Sequence, residues 1–181
     1  MNDKIATLRI IVGLGNPAAE YRGTYHNAGH LLLDFLAGNE TEWKKADLFR
    51  YVRQGDLILA KTDVFMNESG KATKKILSYF KLKPDAMTIA HDDSDLVIGE
   101  YKIQFGRGPA GHRGVASILS VLKTKDFRRI RIGVRRPQER SRKKAGDFVL
   151  KKIGASELKI LDGVFRAITL EIERERNRER D

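Results

Sequence analysis

Short aliphatic runs alternate along this chain with segments whose apolar residues recur at helical spacing. The runs Leu8 to Val12 and Met87 to Ala90 have the length and composition of strands that are buried on both faces. The segment Asn67 to Phe80 carries one apolar face, and Pro84 follows it, which is typical beyond the end of a helix. This alternation predicts a three-layer α/β sandwich, in which helices cover both faces of a central sheet.

Other segments indicate that some strands pair antiparallel. Gly99 to Phe105 and Arg129 to Val134 alternate apolar and polar residues, as half-exposed strands do. The turn Gln54-Gly55-Asp56 between two strand-like runs predicts a hairpin. We therefore expect a mixed, mostly parallel sheet, with further helices over residues 27–36, 115–122 and 156–178.

The length of 181 residues suits one domain over residues 1–181. Residues 171–181 are rich in Glu and Arg without an apolar face after Ile172, so we expect a solvated helix end or a frayed tail there. The absence of cysteine excludes disulfide scaffolds, thiolate metal sites and cysteine nucleophiles. No apolar run approaches the roughly 20 residues of a membrane helix, and the N-terminus lacks a signal-peptide pattern. We expect a cytoplasmic protein without membrane contact.

The positive charge is concentrated in one segment. The chain has a formal net charge of +11, and residues 123–144 alone hold eleven basic and two acidic residues. A charge run is usually a solvated face. A run this concentrated, close to the Gly-rich loop Gly106 to Gly114, instead favours a surface that contacts a phosphate backbone. The helix after that loop begins near Val115, and its N-terminus could also bind an anion.

The first predicted strand ends in the turn Gly13-Leu14-Gly15-Asn16-Pro17-Ala18, which matches the dinucleotide-binding pattern G-x-G-x-x-A. Its context argues against a nucleotide-dependent oxidoreductase, because Pro17 has no N–H and the next helix begins only near Asn27. The turn does offer Asn16, whose side-chain amide donates and accepts hydrogen bonds at the tip of a strand.

Histidines and carboxylates also follow the predicted strands. His26 and His30 have a spacing that could hold zinc, but without a neighbouring Glu or a third ligand we expect no metal there. A lone histidine is more often a surface or helix-start residue. The run His91 to Asp95 carries three carboxylates directly after a buried strand. These could bind Mg²⁺ or Ca²⁺, cap a turn, or orient a histidine.

A fourth polar segment, Phe65 to Gly70, precedes the helix predicted from Asn67. Asn67 is of the right type to cap that helix by accepting a bond from its free N–H groups. Capping does not explain Phe65 and Met66, which could form an exposed apolar wall.

Five of these segments occur in the order of the motifs of one enzyme family. They resemble the motifs of bacterial-type peptidyl-tRNA hydrolases, over about Leu8 to Leu150. The matching runs are Ile11 to Pro17 with Tyr21 and Thr24 to Gly29, Phe65 to Lys71, His91 to Gly99, Gly111 to Gly114, and Arg129 to Gly133.

The resemblance implies a monomeric, cytoplasmic α/β sandwich that cleaves the ester between peptide and tRNA and so recycles tRNA, with no metal or cofactor. It implies that His26 is the general base that activates water and that Asp92 orients His26. It further implies that the substrate is bound by Asn16, Tyr21, Met66, Asn67, His112 and Arg113. The basic residues proposed to contact tRNA are Arg107, Lys123, Lys125, Arg128, Arg135, Arg136, Arg140, Arg142, Lys143 and Lys144.

Hydrolysis by direct water attack agrees with the residue types present. An ester needs a base that titrates near neutrality and donors for the oxyanion. His26 is such a base, and the amide nitrogen of Asn67 is such a donor.

Arg113 departs from the family pattern, which has Asn at this position. Arg has five donors and no acceptor, so it cannot hold a water as Asn does. Contact with a tRNA phosphate and donation to the oxyanion both stay open for it. Arg113 and the basic segment also support an alternative function, a non-catalytic RNA-binding or RNA-processing partner on the same fold.

Overall fold

A seven-stranded sheet forms the centre of the computed structural model, which describes residues 8–38, 41–137 and 148–178. Its strands are β1 (Ile10–Gly13), β2 (Lys44–Lys45), β3 (Phe49–Gln54), β4 (Leu57–Thr62), β5 (Met87–Val97), β6 (Tyr101–Phe105) and β7 (Arg128–Arg135). The helices are α1 (Ala28–Ala37), α2 (Ser69–Phe80), α3 (Arg113–Leu122) and α4 (Ala155–Arg178).

The strand order is β2-β3-β4-β1-β5-β7-β6. The four strands β4, β1, β5 and β7 pair in parallel, whereas β2, β3 and β6 join by antiparallel pairing. Five of these seven described strands therefore point the same way, which confirms the mixed, mostly parallel sheet. The hairpin predicted at residues 54–56 connects β3 to β4.

Alternate residues of the buried strands face two different helix layers. Ile11 packs in a core with Leu33 of α1 and Phe165 of α4. The neighbouring residue Val12 packs on the opposite face, in a core with Ile76 of α2 and Ile118 of α3. Successive side chains of a strand point to opposite faces, so one short aliphatic run contributes to both cores. The predicted three-layer sandwich is confirmed.

The helices after β1 and β4 lie on opposite faces of the sheet. In an open α/β sheet such a divergence leaves a crevice at the carboxyl ends of the strands, and this is where ligands bind. Helix α1 lies very close to β5, because a Cβ on Gly29 would come within 2.3 Å of the Ala90 carbonyl oxygen. That contact holds the start of α1 against the strand that carries Asp92.

Three local expectations are corrected by the structure. The run from His91 to Asp95 lies within β5 rather than in a loop after it. Asn67 lies in a short 3-10 turn (Met66–Glu68) and does not cap α2, whose N-cap position is Glu68. Met66 is buried, so only Phe65 of the predicted exposed pair is exposed.

Of the two alternatives expected for residues 171–178, a solvated helix end or a frayed tail, the structure has a helix end, because α4 continues to Arg178. Its last turns contact the body of the molecule through Glu171 to Tyr101, Glu175 to Arg128 and Arg176 to Asp56. Residues 179–181 lie outside the described part. Among the described residues, no helix combines the length and apolar composition that a membrane span requires.

Candidate active site

A cavity of about 780 Å³ opens where β1 and β4 end, beside β5. It is lined by segments that the sequence places far apart, from the loop after β1 to the turn before α4. All eight residues predicted to act in catalysis or to bind substrate lie in its wall. The lining residues are Asn16, Tyr21, His26, Phe65, Met66, Asn67, Asp92, Asp93, Ser94, Ala110, Gly111, His112, Arg113, Val149 and Leu150.

His26 and Asp92 are in direct contact although 66 residues separate them. Nδ1 of His26 lies 2.8 Å from Oδ1 of Asp92. His26 sits in a 3-10 turn (Tyr25–Asn27) immediately before α1, and its backbone N–H donates to the Val149 carbonyl at 2.7 Å. Because a carboxylate only accepts, Nδ1 carries the proton, and Nε2 is left as the basic nitrogen.

Opposing effects set the pKa of His26. Burial lowers it, the charge and hydrogen bond of Asp92 raise it, and the positive charge of Arg113 lowers it. The outcome is a pKa raised above 6.5. For Asp92, burial raises the pKa, but the two histidines beside it lower it more, so the pKa lies well below the usual range of a carboxyl group. Asp92 is therefore ionised at neutral pH.

His112 contacts the same carboxylate oxygen from the other side. Its Nε2 lies 2.9 Å from Oδ1 of Asp92. Its Nδ1 accepts hydrogen bonds from the backbone N–H groups of Gly114 and Val115, at 3.1 and 3.3 Å, and so caps α3. The sequence predicted His112 as a rim residue that contacts substrate. Instead, protein groups already bind both ring nitrogens.

Asn16 is fixed by two neighbouring segments. Its backbone N–H donates to Oδ1 of Asn27, and its carbonyl accepts from Nδ2 of Asn27, at 2.9 and 3.0 Å. Its own Oδ1 accepts from the backbone N–H of Met66 at 2.9 Å. These bonds leave the amide nitrogen of Asn16 to donate to a ligand. This role of Asn27 was not predicted from the sequence, although its position directly after His26 was an available signal.

One side of the cavity mouth is apolar. The ring of Tyr21 meets that of Phe65 edge to face, with centroids 6.3 Å apart. Leu150, which is half exposed, and Val149 line the cavity as well. Sequence reasoning missed these last two residues, because nothing in their local pattern connects them to loops more than 80 residues away. The mouth therefore combines an apolar side with the polar groups of the floor.

Arg113 is the first residue of α3 and is exposed at the cavity wall. Its guanidinium adds positive charge where the helix N-terminus already carries a partial positive charge. An anion or a developing negative charge in the cavity would be stabilised there, whereas protonation of His26 is disfavoured.

A set of metal-ligating atoms also exists at the site. Within the described ranges, the ligating atoms of His26, Asp92 and His112 lie within 4.8 Å of one another. The two nitrogens that face Asp92 carry protons, so a metal bound there would have to displace both. His30, which the sequence spacing paired with His26, does not belong to this set.

His30 lines a second cavity of about 350 Å³ on the other side of Asn16, together with Trp43 and Lys61. Its Nε2 is buried and has no hydrogen-bond partner in the described part of the chain. Burial and the nearby charge of Lys61 lower the pKa of His30 to about 3, so it is neutral at physiological pH.

The described residues among those predicted to contact tRNA differ in exposure. Arg107, Lys123 and Lys125 are exposed. Arg128, in contrast, is buried and paired with Glu175, so in this structure its guanidinium is not presented on the surface. The reason is its place in β7, where the neighbouring Arg129 is buried as well, and a count of charges along the sequence does not show this.

The remaining basic candidates follow β7. Arg135 is half-buried, and Arg136 is exposed and bonds Glu157 and the Tyr25 hydroxyl. The other four lie outside the described residues, namely Arg140, Arg142, Lys143 and Lys144.

Comparison with known proteins agrees with this architecture. Residues 10–177 match a family model described as peptidyl-tRNA hydrolase. A peptidyl-tRNA hydrolase of Marinobacter nauticus is 40% identical over 163 residues, covering 86% of this chain and 82% of the relative. One from Nitratidesulfovibrio vulgaris (strain Miyazaki F) is 39% identical over 173 residues, covering 87% and 85%. The crystal structure of peptidyl-tRNA hydrolase from Acinetobacter baumannii superposes with a TM-score of 0.83 at 29% identity, covering 95% of this chain and 90% of that one.

Proposed function

The chain belongs to the peptidyl-tRNA hydrolase family, and from that premise we propose that His26 activates the water that cleaves the ester between peptide and tRNA. The observation that carries this proposal is the 2.8 Å contact from His26 Nδ1 to Asp92 Oδ1 in the wall of the cavity. It leaves Nε2 as the basic nitrogen, and the charge and hydrogen bond of Asp92 outweigh burial and raise the pKa of His26 above its usual value. A general base works best when its pKa is close to the working pH. Within this family the activity is hydrolysis, so an RNA-binding role without catalysis is not favoured.

The reaction then proceeds in two proton transfers. Nε2 of His26 takes a proton from water as the oxygen attacks the ester carbonyl carbon, and Asp92 stabilises the imidazolium that forms. When the tetrahedral intermediate breaks down, the C–O bond to the tRNA ribose is cleaved. The imidazolium returns its proton to the leaving 3′ oxygen, so His26 ends the cycle neutral and the products are a peptide acid and free tRNA.

Donors around the cavity are suited to the substrate's carbonyl groups. The Oδ1 of Asn16 accepts from the Met66 N–H, which fixes the orientation of the side chain, and its amide nitrogen makes no hydrogen bond within the described residues. The Asn67 amide and the Arg113 guanidinium line the same space. Donors placed where negative charge develops stabilise the oxyanion. We assign the peptide to the side of Asn16, Tyr21, Met66 and Asn67, where the cavity has its apolar mouth.

Arg113 and the exposed residues Arg107, Lys123 and Lys125 are the described candidates for tRNA phosphates. Helix α3 has ten residues, so it is about 15 Å long, and Lys123 follows its far end. Arg113 and Lys123, at the two ends of α3, could therefore contact two phosphates along one stretch of RNA backbone. We further propose that the chain acts as a single monomeric domain in the cytoplasm.

The test is hydrolysis of a defined peptidyl-tRNA by the wild-type protein and by His26→Ala. We expect a loss of about 10²- to 10⁴-fold in kcat, the usual contribution of a general base, with RNA binding retained. His30→Gln is the matched control, because that histidine lies outside the cavity, and it should keep wild-type activity. Equal rates for His26→Ala and wild type would refute the base assignment.

A further inference from the structure

We propose that His112 is a positioning residue that acts on His26 through Asp92, and that it does not bind the substrate through its ring nitrogens. The proposal rests on the proposed function of His26 as the base. It departs from the role that the sequence suggested for His112, which was a contact at the rim of the cavity. The carrying observation is a chain of hydrogen bonds that runs from the N-terminus of α3 through His112 and Asp92 to His26.

The hydrogen bonds determine where the proton of His112 resides. Nδ1 accepts from two backbone N–H groups, those of Gly114 and Val115, so Nδ1 must present its lone pair. The proton of the neutral ring is therefore on Nε2, and Nε2 donates to Asp92 Oδ1. The backbone of α3 thereby fixes the tautomer of His112, as a second partner fixes the tautomer of a buried histidine elsewhere.

Asp92 Oδ1 consequently accepts two imidazole N–H donors, from His26 at 2.8 Å and from His112 at 2.9 Å. Two donors on one oxygen restrict it to a single position. That position sets the direction in which the His26 ring can point. The side chain of His112 is only 7% exposed and that of Asp92 only 4%, so water does not compete for these bonds.

Other groups packed against His112 leave this arrangement in place. The ring of His91 meets it edge to face, with centroids 4.5 Å apart, and the ring of His26 lies at 5.1 Å. Nδ1 of His91 donates to the Asp92 backbone carbonyl, because a carbonyl oxygen only accepts. Burial lowers the pKa of His91 well below 6.5, so the ring is neutral. Arg113 is the only charged neighbour on α3's first turn, and it is exposed.

The variant His112→Asn removes the contact with Asp92 and keeps the cap of α3. Asn is a favoured N-cap residue whose oxygen accepts from the same backbone N–H groups, but it is too short to reach Asp92. We expect kcat to fall roughly 10- to 100-fold, the usual cost of misplacing a reacting group, with KM for peptidyl-tRNA nearly unchanged. The acid limb of the pH–rate profile should move to higher pH, because the charge of Asp92 is then no longer shared with His112.

A double variant tests whether His112 works through Asp92. If it does, Asp92→Asn combined with His112→Asn will be no slower than Asp92→Asn alone, because interactions along one network are not additive. Independent, multiplied losses would overturn the proposal. So would a His112→Asn variant with raised KM and unchanged kcat, which would indicate substrate contact, or one identical to wild type, which would indicate helix capping only.

The outcome for His26→Ala distinguishes failure of this inference from failure of the proposed function. If His26→Ala loses activity while His112→Asn keeps the wild-type kcat and pH profile, only the positioning role of His112 is refuted. If His26→Ala keeps wild-type activity, the base assignment is refuted and the positioning role with it.

Discussion

At the residue scale, the reactivity of His26 results from a balance rather than from one contact. Burial and the charge of Arg113 oppose protonation of the ring, and the charge and hydrogen bond of Asp92 favour it. The negative charge prevails, so the pKa is raised. A base of this kind is active above its pKa and loses activity as the pH falls through it. Removing the charge of Arg113 should therefore raise the pKa of His26, whereas removing the charge of Asp92 should lower it.

Arg113→Asn removes the positive charge that lowers the pKa of His26. We expect the acid limb of kcat/KM to move to higher pH, because the remaining Asp92 charge then acts unopposed. Well above that limb kcat should rise, since Asn restores an acceptor for water at this position. Arg113→Lys is the control, because it keeps the charge and should keep the wild-type limb. The measurement is the pH–rate profile of peptidyl-tRNA hydrolysis, and a limb that stays in place for Arg113→Asn would contradict the electrostatic role.

At the element scale, the site depends on how closely α1 approaches β5. The two elements position the proposed base and its partner, since His26 immediately precedes α1 and Asp92 lies in β5. Gly29 allows the approach, because any Cβ there would overlap the Ala90 carbonyl. The short hydrogen bond from His26 to Asp92 is thus a consequence of backbone packing as well as of side-chain chemistry.

Gly29→Ala should lower the free energy of unfolding by about 1–3 kcal/mol, the usual cost of overpacking a tight contact, and should also slow hydrolysis by moving α1 away from Asp92. Gly163→Ala is the matched control, because Gly163 lies in α4 with no atom within 4 Å of an added Cβ. It should stabilise the protein by roughly 0.8–1 kcal/mol, the difference in helix propensity. Urea unfolding of both variants measures these changes. Equal stabilities would show that α1 has room to shift.

At the scale of the whole molecule, His30 and His91, each of which has a buried ring nitrogen, make stability depend on pH. Burial keeps the pKa of His30 at about 3 and that of His91 well below 6.5 in the folded state. The unfolded chain takes up these protons near pH 6.5. As the pH falls below 6.5, the unfolded chain binds a proton at each of these two histidines and the folded protein does not. The free energy of unfolding therefore decreases below pH 6.5. His26 acts in the opposite direction, because its pKa is raised by folding, and Asp92 contributes to acid sensitivity only near and below pH 4.

We expect the free energy of unfolding to fall between pH 7.5 and pH 5, by about 2 kcal/mol for His30 alone. His30→Gln removes that titration and should flatten the dependence by the same amount. Urea unfolding at a series of pH values, in the wild-type protein and the variant, tests the expectation. A variant whose stability falls as steeply as that of the wild type would show that His30 is not the group responsible.

Several features could be read from the sequence because they depend on local chemistry. The aliphatic runs that became β1 and β5, the alternation of β6 and β7, and the helical periodicity of α2 and α4 are properties of short segments. Periodicity in a segment indicates which of its faces is buried before its partner is known. The resemblance to the hydrolase motifs likewise rests on short runs, and it predicted that His26 and Asp92 act together, which agrees with their direct contact.

The contacts across the fold were decided only by tertiary structure. The sequence does not show which strands pair or which helix covers them. Arg128 of the basic segment is therefore buried against Glu175 of α4, although a count of charges would place it on the surface. The same holds for His112, whose two nitrogens are occupied by α3 and by Asp92 of a distant strand. The residues of a segment determine its periodicity and which functional groups it carries. The hydrogen-bond partners of those groups and their burial depend on other segments, which only the packing of the chain brings within about 3 Å.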